Sequence, residues 1–245
     1  MKGRRWGWEW EVGDKISEEV FDRETLLALR KLLIEEIETI DYPISSGKEA
    51  IVFKGEGKEG PVAIKVYKPK SQFLTGGMKR YIRGDRRFAK LPLSKPHEIL
   101  YAWARKELDN LARITNAGVL APDPIAVRKN VLVMSYIGDR EAPAPLLKDV
   151  EQREDIDWSL LYDTITSYVS KMYEGGIVHG DLSEFNILHW DDKPWVIDVG
   201  QAVLTSHPRA DELLRRDLER VNLFFSKKKI EVGDLSDIIK EIKER

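Results

Sequence analysis

The sequence predicts a two-lobed α+β protein: a small β-sheet with one long helix in the first lobe, and a mainly helical second lobe. Three observations lead there. β-branched runs crowd between Tyr42 and Tyr67 around glycine-containing breaks; a long helical pattern opens at Pro96; and beyond a second strand pair the chain reads as helix, interrupted by one hairpin near Ile187. Residues 1–41 are read as an N-terminal extension with a helix, 42–137 as the first lobe and 138–245 as the second.

Taken in order, DRETLLALRKLLIEEIETI (22–40) places leucine and isoleucine at helical spacing, which predicts a helix. YPISSGKEAIVFKG and EGKEGPVAIKVYK are β-branched and predict two strands, with Gly55, Gly57 and Gly60 at the break. Residues 68–95 hold nine Lys and Arg against the single acid Asp85, a net charge of +8, and with Gly76-Gly77 and few apolar residues they predict a long flexible loop. Pro96 opens a helix with Leu100, Trp103, Leu108 and Leu111 along one face, ending near Gly118. DPIAVRKNVLVMSYIG reads as strand, turn, strand. Asp157 to Glu174 is a helix stopped by Gly175-Gly176, NILHW and WVIDVG form a hairpin around Asp191-Asp192-Lys193-Pro194, and one or two helices finish the chain.

Composition narrows the chemistry. The absence of cysteine excludes disulfides, thiolate metal sites and a cysteine nucleophile, and the four scattered histidines form no ligand pattern. No apolar run approaches the roughly 18 residues of a membrane span, and the N terminus has no signal-peptide core, so a cytoplasmic protein without membrane partners is expected. The overall charge of -2 predicts no global attraction to nucleic acid, although the basic segment has its own.

The motifs point to phosphoryl transfer, which needs cations for phosphates, a metal ion and a carboxylate to orient the attacking hydroxyl. In Val62-Ala63-Ile64-Lys65, strand alternation puts Ala63 and Lys65 on one face, as in the lysine strand of protein kinases; alone, a half-buried strand ending in lysine decides nothing. HGDLSEFN adds Asp181 as base and, five positions on, Asn186 as metal ligand, and Asp198 in IDVG is a second metal ligand at a strand end. Glu107 is the expected partner of Lys65, with Glu98 its rival. The Gly47-Lys48 region is no Walker A loop, which would need glycine at Tyr42 and Ser or Thr at Glu49.

SSGKEAIVFKG, HGDLSEFNIL and IDVGQAV together resemble the RIO family of atypical protein kinases, and more closely its type 1 branch, over about Phe21 to Phe225. The resemblance implies a protein-kinase-like fold lacking the activation segment and peptide-binding helices. Gly180, where most kinases have arginine, and the 45 residues after Gly200, with no Ala-Pro-Glu, agree. It implies ATP and Mg²⁺, with Mn²⁺ as alternative ion. Ser46 and neighbouring amides, with Lys48 and Glu49, would line the phosphates; Met134 would be the gatekeeper, and the backbone of Ser135 and Ile137 would touch adenine. It further implies a flexible insertion with Ser71, Thr75 and Ser94 as candidate autophosphorylation sites, a role on small ribosomal subunit precursors and their rRNA, and a phospho-aspartate at Asp198. The protein substrate stays open. A small-molecule kinase of the aminoglycoside or choline type, which shares HGDxxxxN, is the alternative, disfavoured by the short tail. Trp6, Trp8 and Trp10 beside Arg4 and Arg5 suit either packing on the first lobe or stacking on RNA bases.

Overall fold

The structure, a computed structural model, describes residues 21–69, 73–92 and 94–244. The N-terminal tryptophans and Ser71 lie outside these.

Helix α1 (Arg23–Glu35) starts where the Asp22 carboxylate accepts from the Thr25 amide at 2.8 Å. It stops five residues short of the expected Ile40. Ile37 to Ile40 instead open strand β1 (Ile37–Ser46), because Ile37 is buried against α1 and the segment pairs with Gly55 to Gly57 of β2 (Ala50–Gly57). Gly55 permits that pairing: a Cβ there would stand 2.3 Å from the Thr39 carbonyl oxygen. Strands β3 (Gly60–Tyr67), β4 (Pro124–Arg128) and β5 (Val131–Ser135) complete an antiparallel sheet in the order β1-β2-β3-β5-β4.

The basic segment differs from expectation. It contains helix α2 (Phe73–Ile82) and a 3₁₀ turn (Arg86–Phe88), since Met78, Tyr81 and Ile82 share one helical face and are buried, while Arg80, Arg83 and Arg86 are exposed and Arg87 turns inward to Asp85 and Asn110. His207 Nε2 meets the Arg83 carbonyl oxygen at 2.9 Å and docks the segment on the second lobe.

Helix α3 (Pro96–Asn116) crosses between the lobes. Below it lie α4 (Trp158–Glu174), capped by Asp157, then α5 (Ala210–Ser226) and α6 (Leu235–Glu244). Two short strand pairs, β6 (Ile177–Val178) with β9 (Val203–Leu204) and β7 (Ile187–Trp190) with β8 (Lys193–Val196), fix the ends of the loops that matter.

Two apolar cores result. One face of the sheet packs on α1 through Leu29, Leu32, Ile51, Ile64, Val66 and Val133. The larger core joins the apolar face of α3, including Leu100, Trp103 and Leu111, to the second lobe. Among the described residues, no helix is long and apolar enough to cross a membrane.

Candidate active site

A cavity of about 640 Å³ lies under the sheet, against the second lobe. Alternation in β3 buries Ile64 and Val66 on the α1 side and turns Ala63 and Lys65 to the cavity. Lys65 Nζ donates to Glu107 Oε1 and Oε2 at 2.7 and 3.0 Å and to Asp198 Oδ1 at 2.9 Å. The rival Glu98 is exposed on the first turn of α3, whereas Glu107 is 1% exposed.

The electrostatics follow from this cluster. Burial alone would depress the Lys65 ammonium, but the Asp198 and Glu107 carboxylates outweigh it and hold the group above the usual lysine range. Lys65 in turn keeps the Asp198 carboxyl below the ordinary aspartate value. Asp198 has the left-handed backbone angles φ 58° and ψ 56°, and its side chain is 53% exposed.

The turn between β1 and β2 covers the cluster. Gly47, Lys48 and Glu49 line the cavity, and burial together with the nearby Asp198 charge pushes the Glu49 carboxyl up to about 7. Ser46 does not line it, whereas its neighbours Ile44, Ser45 and Gly47 do; Ser46 pairs with Ile51 of β2. Met134, Ser135 and Ile137 line the opposite wall. The Ser135 amide is already bonded to Asp123 O at 2.9 Å, and the Ile137 carbonyl accepts from Ala144 N at 3.0 Å.

Asp181 sits at a neighbouring recess of about 440 Å³, and Asn186 lines both spaces. Three groups far along the chain hold this loop. Asp217 on α5, 1% exposed, accepts from the amides of Gly180 at 2.6 Å and Leu182 at 3.0 Å, and burial pushes its carboxyl up to about 7 against those bonds. Arg220 Nη1 contacts Asp181 Oδ1 at 2.5 Å, and Gln201 Nε2 donates to Oδ2 at 3.1 Å. Asn186 Nδ2 donates to the Asp181 carbonyl at 2.8 Å, so its amide oxygen is the atom left for a ligand. His179 is buried, which lowers its pKa, and its Nε2 meets Ile197 O at 3.2 Å. Asp217 and Arg220 carry no motif and Gln201, although inside IDVGQAV, was given no role; their partners lie 20 to 39 residues away, so spacing gave no signal for these contacts.

Comparison with known proteins bears on the family and the fold. The RIO domain family model matches residues 51–238. The chain is 43% identical over 221 residues to the RIO-type serine/threonine-protein kinase Rio1 of Methanocaldococcus jannaschii, covering 89% of this chain and 73% of that one. Human serine/threonine-protein kinases RIO1 and RIO3 are 39% and 37% identical over 225 residues; these matches cover 90% and 86% of this chain but 39% and 43% of theirs. The Rio2 kinase-ADP/Mg²⁺-phosphoaspartate complex from Chaetomium thermophilum shares the fold, with a TM-score of 0.66 and 22% identity over 89% of this chain and 66% of that one. The chain belongs to the RIO family and is an atypical serine/threonine protein kinase with a two-lobed α+β kinase fold.

Proposed function

We propose that the chain is a type 1 RIO enzyme that uses ATP with Mg²⁺, Mn²⁺ being the alternative ion, and acts in the cytoplasm on precursors of the small ribosomal subunit. The observation that carries the reading is the Lys65 ammonium bridging Glu107 and Asp198 at the cavity mouth. The donor set fits a cation shared with phosphates: among the described residues no group of three or more His, Cys, Asp or Glu could hold a metal by itself, while Asp198 and Asn186 both line the cavity. When bound, the ion neutralises charge on the phosphates.

In this reading the Ser135 carbonyl and the Ile137 amide, whose complementary groups are already bonded, face the edge of adenine. Lys65 holds phosphate oxygens, and Asp181 takes the proton from an attacking hydroxyl. A hydrolytic branch uses the half-exposed Asp198. One of its oxygens bonds the γ-phosphorus, the bond to the β–γ bridging oxygen breaks, ADP leaves with the electron pair, and water later cleaves the acyl phosphate. The exposed cations Arg80, Arg83 and Lys90 support a contact with rRNA.

Labelled ATP tests the chemistry. A phosphoprotein that is labile to hydroxylamine and lost in Asp198→Asn is the expected product. A hydroxylamine-stable label on serine or threonine that survives that substitution refutes the phospho-aspartate branch.

A further inference from the structure

The helix that supplies Glu107 carries two other buried polar side chains that the phosphoryl-transfer scheme does not use. Lys106 and Asn110 are both 0% exposed. Lys106 Nζ donates to the carbonyls of Gly200, at 2.8 Å, and Ala202, and it lies 5.3 Å from the Trp103 ring centroid. Asn110 Nδ2 donates to Val199 O at 2.8 Å and Ala202 O at 3.1 Å. Four hydrogen bonds from one helix therefore land on the backbone that immediately follows Asp198. Trp103 closes the same contact, since a Cβ on Gly200 would be 3.1 Å from its Nε1.

Trp103, Lys106 and Asn110 follow one another at i, i+3 and i+7 and so form one stripe of α3. Glu107, one residue on, is turned by about 100° toward Lys65. One helix thus sets both carboxylates that meet the Lys65 ammonium, Glu107 directly and Asp198 through the loop.

The loop requires such support. Asp198 is not glycine, yet it has φ 58°, a conformation that persists only where the surroundings over-determine it. Ordinary kinases fix this region partly through the packing of a phenylalanine, and here the residue is the short Val199. A methionine of similar length would fill the same space without desolvating a charge, but would take a donor from the Gly200 and Ala202 carbonyls, so the lysine's distinctive contribution is to that backbone.

We propose that Lys106, with Asn110, is a positioning residue that holds the 198–202 backbone so that the Asp198 carboxylate stands at Lys65. The inference rests on the reading of Asp198 as a metal and phosphoryl residue. It is tested in the full chain with Lys106→Met, by amide hydrogen exchange of the 198–204 segment without nucleotide and by titrating Mn²⁺ onto the ADP complex.

Exchange in 198–204 should accelerate by at least about tenfold while α3 and α5 keep their protection. Mn²⁺ affinity should fall by roughly 10–100-fold, the usual effect of losing an outer partner of a ligand, with metal-free ADP binding unchanged. Unchanged exchange in 198–204 overturns the proposal, whatever happens to the melting temperature. Faster exchange with unchanged Mn²⁺ affinity upholds the positioning role and sinks the metal reading of Asp198. Asn110→Ala, which removes two of the four bonds, should move both readouts the same way by less, and its failure to accelerate exchange refutes the proposal if Lys106→Met does not fold.

Discussion

Gly180 stands before Asp181 with φ 78°, and a Cβ on it would lie 3.1 Å from the Gln201 carbonyl oxygen and 3.5 Å from buried Leu213. Gly180→Ala therefore meets two costs. The left-handed backbone costs a residue with a Cβ about 1 kcal/mol. The contact with Gln201 is with backbone, which has to shift, adding ~1–2 kcal/mol as in an overpacked core. Gly118 supplies the control: its φ is 77°, but a Cβ there meets nothing within 4 Å. For a protein of this size each kcal/mol moves Tm by about 2–4 °C. Gly118→Ala should thus lower Tm by about 2–4 °C and Gly180→Ala by about 4–12 °C. Gly180→Ala should also reduce ATP turnover by at least about tenfold, because the displaced residue precedes Asp181. Differential scanning calorimetry and a coupled ATPase assay read both effects. Equal Tm shifts in the two variants, or a Gly180→Ala enzyme with full turnover, would refute the steric argument. The same geometry explains why the arginine of most kinases has no place here, since any side chain at 180 begins with that Cβ.

Other perturbations follow from the buried charges and the basic segment. Lys65→Met leaves Glu107 buried without its ammonium; the folded carboxyl, already pushed up to about 7 by burial, then binds a proton that the unfolded chain releases near 4.5. The variant should therefore lose stability relative to wild type as pH rises above about 7, where the wild-type carboxyl ionises and the variant's, raised further without Lys65, does not, by up to ~1.4 kcal/mol per unit in urea titrations; a gap that does not widen there would count against the buried pair. Burial, with the nearby Arg87 charge, lowers the Lys106 ammonium to about 7. Between that value and 10.5 the unfolded chain holds the proton and the folded chain does not, so wild type should gain stability on Lys106→Met with rising pH by up to ~1.4 kcal/mol per unit; a flat difference refutes this. Replacing Arg80, Arg83 and Lys90 together by alanine should reduce the slope of log affinity for an rRNA fragment against log salt by about 2–3, and an unchanged slope removes this surface from the RNA contact.

Much of the fold was legible because its signals are local. The Pro96 start, the Asp157 cap, the strand at 62–65 and the hairpin at 187–196 depend on neighbours within a few residues, and they form as expected. The α1 boundary was misread because IETI suits either element until β2 is present to pair with it. The basic segment was misread for a related reason: charge count hides the buried Met78, Tyr81 and Ile82 of α2, and only the larger core, through Trp103 of α3, gives their face something to cover. In the site, motif order brings Lys65, Glu107, Asn186 and Asp198 into one reading, and the fold places Lys65, Asn186 and Asp198 on one cavity with Glu107 paired to Lys65. Ser46 stands between two cavity-lining residues, Ser45 and Gly47, without lining the cavity itself, a distinction that depends on the irregular pairing of β1 with β2. Asp217, Arg220, Lys106 and Asn110 act on loops distant in sequence, where no spacing rule reaches.

The split core has a consequence for how the molecule comes apart. Helix α3 belongs by chain order to the sheet lobe, but its apolar face is sealed into the larger core, while the outer face of the sheet shares a smaller one with α1. Opening of the sheet and α1 ahead of α3, which also has to draw Tyr67 and Leu132 out of the larger core, would leave Glu107 and Lys106 in place. What then opens is the roof of the cleft, carrying Lys65 away from both of its carboxylates. A ligand that touches roof and floor at once would fuse the two melting steps into one.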